Sequence, residues 1–396
     1  MKKFFSGFFL VTTAILSSCI QNEPMNAECD IEVAKITKVD NKEENSKDLV
    51  YNESECIKEI ASSDSIIKFF YAPGKSNVNE LLKKVCIEFT TTAGATIKPI
   101  NGSEQDFSEN KKVKYTVTSE DKQWKRDYYV QFLPIEPVQT ILSFEDFELE
   151  DSKDPRYYNW YEVLDDNYIH YQWASGNPGY KISKSSAKIA EYPTIPVTPA
   201  EFETVSGNAV KLETRNTGAF GAMVNMRIAA GNLFIGTFDV SNALKDAMAA
   251  TRFGKPFNKK PVRLEGYYQY APGEKFQDKK GKEVVGRIDE PDIYSVFFKN
   301  TDENGNSVTL QGDDVMTHPN IVALARLRNH ETVHYGLGEW HYFSIPFDYL
   351  SEIDKNTLDS YGYSLTVVFT SSIEGATFCG APGSQLYVDE VKVVWE

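Results

Sequence analysis

The stretch Leu386-Tyr387-Val388-Asp389-Glu390-Val391-Lys392-Val393-Val394-Trp395 alternates apolar and polar residues with the period of a β-strand. Its apolar positions are even-numbered up to Val388 and odd-numbered from Val391, so one extra residue at Asp389-Glu390 breaks the phase, as a β-bulge does. Similar short-period runs recur upstream, at residues 31–39, 66–71, 85–89, 113–117 and 128–132. Turn signals separate them: Pro73-Gly74, Ala93-Gly94, Asn101-Gly102 and Glu120-Asp121. With 24 Phe, 22 Tyr and 5 Trp the chain is 13% aromatic, which favours strands, and a mostly β protein is expected. The best helix candidate is 241–250, where Leu244, Ala247 and Met248 share one face.

The 396 residues suit two or three domains at roughly 150 residues each. A hydrophobic fraction of 41% and a charged fraction of 25% exclude a disordered, collagen-like or multi-span membrane chain. The net charge of −15 repels phosphate backbones, so no nucleic acid partner is expected.

Residues 1–18 carry Lys2 and Lys3, an apolar run over 4–16 and small residues before Cys19, the pattern of a signal peptide. Leu16-Ser17-Ser18-Cys19 resembles the bacterial lipobox, which implies that Cys19 is lipidated and anchors the chain in the cell envelope, at the outer membrane. The competing reading is an ordinary secretory signal with a chance cysteine. Polar residues within 19–29 read as a tether. Residues 30–135 hold five or six short strands, enough for a small immunoglobulin-like sandwich. Pro134 and Pro137 bracket Ile135-Glu136 as a stiff linker, which puts the domain boundary near residue 136. Residues 138–396 show no further linker and read as one large sandwich. Cys29, Cys56, Cys86 and Cys379 are too scattered for a disulfide framework; they read mainly as buried small hydrophobes, with one N-terminal bridge and its pairing left open.

Residues 94–99 with Asn101-Gly102, Asp106-Phe107, Tyr115-Thr116-Val117-Thr118 and Tyr128-Tyr129-Val130 resemble the N-terminal sandwich of gut Bacteroidetes surface lipoproteins. Four later segments resemble the PCMD family, a putative carbohydrate metabolism domain: Gly231-Asn232-Leu233-Phe234 with Gly236-Thr237-Phe238, Gly266-Tyr267-Tyr268-Gln269-Tyr270 with Pro272-Gly273, Phe343-Ser344-Ile345-Pro346-Phe347, and the tail 380–394. Asn22-Glu23-Pro24 and Ala27-Glu28-Cys29-Asp30 are similar to the same lipoproteins. The resemblance implies an all-β, two-domain envelope protein whose second domain is jelly-roll-like and akin to carbohydrate-binding modules. It supplies no catalytic residue.

Three features invite chemistry. His330-Glu331-Thr332-Val333-His334 spells H-E-x-x-H, which binds zinc only when a helix carries both histidines on one face and a third ligand joins them. Thr332 to Tyr335 favour a strand, and Gly336 and Gly338 stop a helix, so a zinc protease is disfavoured and an incidental string preferred. In jelly-roll modules the first and last strands lie close and hold a structural Ca2+; on that resemblance Glu145, Asp146 and Asp389 are candidate ligands, the competing reading being solvated or ion-paired acids.

Third, Tyr157, Tyr158, Trp160, Tyr161, Tyr168, Tyr171, Trp173 and Tyr180 crowd together, and Tyr267, Tyr268 and Tyr270 form a second cluster. Flat rings suit the C–H face of a sugar, so Trp160, Tyr161, Trp173, Tyr180, Tyr267, Tyr268 and Tyr270 are the expected glycan contacts. The competing reading sends them into the core. No nucleophile elbow, P-loop or dinucleotide fingerprint occurs. Asp165, Asp166, Glu265, Asp313, Asp314 and Glu339 remain available for glycoside hydrolysis, which needs a carboxylate pair at a set separation. Glycan binding without catalysis and with no required cofactor is therefore the leading expectation. A glycoside hydrolase and a structural or adhesive protein with a protein ligand follow it.

Overall fold

A computed structural model describes residues 25–43, 45–51, 53–62, 64–71, 77–164, 168–240, 243 and 246–396. The signal segment, Cys19, the Pro73-Gly74 turn, Asp165 and Asp166 lie outside the described residues, as does the side chain of Tyr168. The protein is all-β, an immunoglobulin-like sandwich followed by a larger jelly-roll-like one.

Two large hydrophobic interiors form, with smaller buried clusters beside them, one of which holds Phe234, Phe253, Tyr294 and Val368. The first gathers apolar side chains from Ile31 to Phe132 between two four-stranded sheets. Alternation along Ile31–Val39 and Val85–Thr91 sends Ala34, Ile36, Ile87 and Phe89 inward, where Phe69, Phe107 and Phe132 pack with ring centroids 5.0 to 5.1 Å apart. Cys56 and Cys86 are buried and Cys29 and Cys379 half-buried, and the Cys56 thiol donates to the Ser46 carbonyl at 3.5 Å. After Pro134 the chain crosses to the second interior, which begins at Val138. On the way Glu136 meets the buried His170 ring, Oε2 to Nδ1 at 2.6 Å.

Seven long strands frame the second domain: β1 (Asn232–Phe238), β2 (Pro261–Ala271), β3 (Asp292–Lys299), β4 (Ile321–Arg326), β5 (Gly336–Pro346), β6 (Tyr363–Thr370) and β7 (Gln385–Trp395). One sheet runs β1-β6-β3-β4 with short strands at both edges, and the other pairs β7-β2-β5 with Ala209–Glu213 beside β7. All pairs among these long strands are antiparallel. Inward residues of both sheets, among them Leu233, Ile293, Phe297, Phe369, Leu264, Phe343 and Val393, close a single core. Each fully buried ring or branched side chain contributes about 1.5 to 3 kcal/mol.

The phase break on β7 is a bulge. Asp389 opposes Tyr267 and Lys392 opposes Glu265, so Glu390 and Val391 together face the single residue Gly266. Glu390 takes a φ of 49°, which turns the strand so that Leu386 and Val388 point inward before the bulge and Val391 and Val393 after it. Gly266 makes room for this: a Cβ there would lie 2.7 Å from Val391 Cγ2 and 2.9 Å from Phe343 Cζ.

The helix expected over 241–250 is one turn at Ala247–Ala250, capped by Asp246, whose Oδ1 accepts from the Met248 and Ala249 N–H groups. Ser241, Asn242, Leu244 and Lys245 lie outside the described residues.

Gly266→Ala is expected to cost about 1 to 3 kcal/mol through overpacking at the bulge, read as a lower urea midpoint with an unchanged m-value. An unchanged midpoint would show that Val391 and Phe343 yield without cost.

Candidate functional site

The outward face of the β1-β6-β3 sheet forms the floor of a solvent-open groove with a cavity volume of about 210 Å3. β1 contributes Asn232, Phe234 and Phe238, β3 contributes Asp292 and Tyr294, and β6 contributes Val368 and Thr370. These residues share one face because strand side chains alternate. The walls come from Phe220 and Val224 at the short helix Gly218–Met223, from Met248 and Phe253, and from the turn carrying Phe378. Phe220 is 42% exposed at the lip.

Several polar groups in the groove already have partners. Asp292 holds Arg326 in a two-pronged ion pair, Oδ1 to Nε at 2.9 Å and Oδ2 to Nη2 at 2.6 Å. Asn232 accepts from the Gly176 N–H at 2.8 Å, and the Thr370 hydroxyl donates to the Ser372 carbonyl at 3.2 Å. Such a surface binds flat apolar faces and leaves a ligand's polar edge in water.

The opposite sheet shows a different chemistry. Tyr267 on β2 and Tyr342 on β5 are direct cross-strand partners on its outward face, ring centroids 5.3 Å apart, with Tyr342 53% exposed. In the next row the Glu265 carboxylate accepts from Arg263 Nε at 2.9 Å and lies 3.0 Å from Lys392 Nζ. Burial works against ionisation of Glu265, but the Lys392 and Arg263 bonds outweigh it and hold the carboxyl below its ordinary range.

The expected glycan contacts divide sharply. Trp160, Trp173, Tyr268 and Tyr270 are buried in the core, and Tyr180 is buried with its hydroxyl donating to the Asn216 carbonyl. The crowding at 157–180 is core filling and short-hairpin packing: Phe144 and Phe369 flank Trp173 at 5.5 and 6.2 Å. Tyr180 still borders the groove, whereas Tyr161, beside the exposed Tyr171 at 5.8 Å, and Tyr267 are half-buried. Burial of a ring outweighs display because each offers 150–250 Å2 of apolar area to an interior that must be filled.

The H-E-x-x-H string does not assemble a metal site. Its helix, Leu327–His330, ends at the first histidine, and Glu331 is extended. His330 meets Asp348 at 2.8 Å, Glu331 accepts from the Ser344 N–H, and His334 stacks on His341 at 4.3 Å. Among the described residues no three His, Cys, Asp or Glu side chains are grouped to hold a metal ion.

Two of the carboxylates named as calcium candidates, Asp389 and Glu145, fasten a loop. Asp389 Oδ2 accepts from the Val205 and Ser206 N–H groups at 2.7 and 3.2 Å, and its Oδ1 accepts from Glu390. Glu145 accepts from the Asn208 backbone and side chain. Both carboxylates thus accept from N–H groups of the 205–208 loop. The Asp146 backbone carbonyl accepts from the Tyr161 N–H, and its side-chain charge adds to the upward shift of the Glu162 carboxyl, caused first by burial, to about 6.

Phe220, Phe234, Phe238, Phe378, Asp292 and Arg326 were not among the expected site residues. The one sequence signal for them is Asp292 opening the otherwise apolar run Ile293-Tyr294-Ser295-Val296-Phe297-Phe298, a strand buried on both faces.

Burial pushes the Asp389 carboxyl up to about 6, against the pull of the Ser206 and Val205 N–H groups. A carboxyl that binds its proton more tightly folded than unfolded favours the native state at low pH, and this advantage is lost as pH rises from about 4 through about 6. Between pH 4 and 7 the wild type is therefore expected to lose about 1 to 3 kcal/mol relative to Asp389→Asn in paired urea titrations. A constant difference would show an ordinary carboxylate.

The model of the "Putative carbohydrate metabolism domain" matches residues 143–394, and that of "SGBP, N-terminal" matches residues 59–131. A solved structure from Bacteroides thetaiotaomicron VPI-5482, described as "a putative glycoside hydrolase", is 36% identical over 95% of this chain and 99% of that one, with a TM-score of 0.70. A second, from Bacteroides vulgatus ATCC 8482 and described in the same words, is 34% identical over 66% of this chain and 100% of that one, with a TM-score of 0.59. Comparison with curated proteins finds no match. With the family match covering well over half of its length and a relative alike along nearly all of it, the chain belongs to the PCMD family.

Proposed function

We propose that this protein is a lipid-anchored envelope protein that captures glycans in the groove of its second domain, without catalysis. The observation that carries this reading is the lining of the groove: Phe220, Phe238 and Phe378 hold exposed or half-buried rings around its mouth, over a floor closed by the buried Phe234 and Tyr294. Pyranose C–H faces stack on such rings while the hydroxyl edge keeps its water, so the affinity is modest and nearly independent of salt. Membership of a carbohydrate metabolism family supports the ligand class. The anchor rests on the sequence alone, on Lys2, Lys3, the apolar run and Cys19.

Hydrolysis is the second reading, because the two relatives are described as putative glycoside hydrolases. Against it, Asp292 is the one carboxylate among the described residues lining the groove, and Arg326 holds it. Both two-carboxylate mechanisms need a second acid roughly 5 to 9.5 Å away. Release of reducing ends from plant or host polysaccharides by the mature protein, abolished in Asp292→Asn, would replace capture with catalysis.

In gels containing the polysaccharide that retards the wild type, Phe220→Ala and Phe378→Ala are each expected to weaken retardation at least threefold with little change in Tm. Trp160→Ala and Trp173→Ala are expected to cost about 3 to 5 kcal/mol of stability, as core rings do. Retardation untouched by both phenylalanine replacements would remove the groove from consideration. In cells fed radiolabelled palmitate, label is expected on the wild type and absent from Cys19→Ala; label on neither would identify an ordinary secreted chain.

A further inference from the structure

We propose that the outward face of the β7-β2-β5 sheet is a second, separate glycan contact, which takes a neutral pyranose across Tyr267 and Tyr342. The inference rests on the glycan reading of the ligand but not on the groove, which lies on the other sheet.

The geometry is that of a built platform. Tyr267 and Tyr342 sit opposite each other on paired strands, with their rings tilted at 56° and centroids 5.3 Å apart, so that they form a shallow trough about one sugar ring across. Tyr342 is 53% exposed although both neighbours on its strand face, Trp340 and Ser344, are half-buried. Trp340 is held in place: its Nε1 donates to the Glu203 carbonyl at 2.8 Å and its ring packs on Phe202, which in turn stacks on Tyr387 at 4.1 Å. The loop carrying Phe202 and Glu203 is fastened by the Asp389 and Glu145 bonds, so the platform needs no rearrangement to receive a ligand.

Charge decides the class of occupant. Arg263 and Lys392, 47% and 55% exposed, flank the buried Glu265 carboxylate in the row beside the tyrosines. A dry protein partner laid over this face would strip water from these groups without replacing it. A hydroxyl-rich ring stacked on the tyrosines gives them hydrogen-bond partners in exchange. Glu265 offsets one of the two cations and Glu390 on the bulge the other, so the face has no excess positive charge with which to prefer an acidic polymer. Because the two contacts occupy opposite sheets, one domain holds two chains, or two distant stretches of one chain, and gains avidity on long polymers that short oligosaccharides do not show.

The test is affinity electrophoresis of the full chain in gels containing xyloglucan, mixed-linkage β-glucan, galactomannan or arabinogalactan. Tyr267→Ala/Tyr342→Ala is expected to weaken retardation at least threefold, Phe220→Ala/Phe378→Ala to do so independently, and the fourfold variant to migrate as in a gel without polysaccharide. Tyr267→Phe/Tyr342→Phe, which keeps both rings, is expected to retain most of the retardation, which separates loss of stacking from loss of fold. If the tyrosine pair matters and the phenylalanine pair does not, the platform stands and the groove falls. If only the phenylalanine pair matters, or the alanine and phenylalanine replacements of the tyrosines behave alike, the platform is overturned. A wild type retarded by none of the four polymers overturns both.

Discussion

The interior shared by the two sheets of the second domain is the constraint on which the rest of the structure depends. Its walls supply Leu233, Ile293, Phe297 and Phe369 from one side and Leu264, Tyr268, Phe343 and Val388 from the other, and Trp160 and Trp173 fill it. Close packing of this kind leaves no choice about which way each strand faces. The outward residues, and with them every candidate binding surface, are what remains after the core has taken its side chains.

That constraint also explains the bulge. β7 pairs with β2 along its length, and a strand this long twists too much to keep one phase in register with a core on one side. Two residues facing Gly266 reset the phase, and the carboxylate of Asp389 is brought beneath the 203–208 loop. The Asp389 carboxylate takes three N–H donors, and Glu145 takes its own from Asn208. The acids at the first and last strands therefore act as loop fasteners.

The two outward faces differ in the way their side chains are covered. Over the β1-β6-β3 face, loops and short helices bury Phe234, Phe253 and Tyr294 and set Phe220, Met248 and Phe378 around a concave, largely apolar opening. On the β7-β2-β5 face the 202–208 loop covers Tyr387 and Asp389, and Tyr267 and Tyr342 remain beside an ion-paired carboxylate. A concave apolar groove and a flat aromatic platform are both suited to sugar rings, the first by enclosure and the second by stacking.

Period-two alternation, aromatic content and turn residues determined from the sequence alone that the chain is all-β, and the phase break in 386–395 determined that its last strand carries a bulge, because both depend only on which neighbours along the chain are apolar. The resemblance carried by segments such as Gly266-Tyr267-Tyr268-Gln269-Tyr270 was legible for the same local reason. Which tyrosine of that segment meets solvent was decided only in three dimensions: Tyr268 and Tyr270 turn into the core and Tyr267 does not, since the inner face is set by the sheet stacked across it. The groove was equally invisible, because Phe220, Phe234, Tyr294 and Phe378 come from four separated segments and meet only when the sheet brings them to one face.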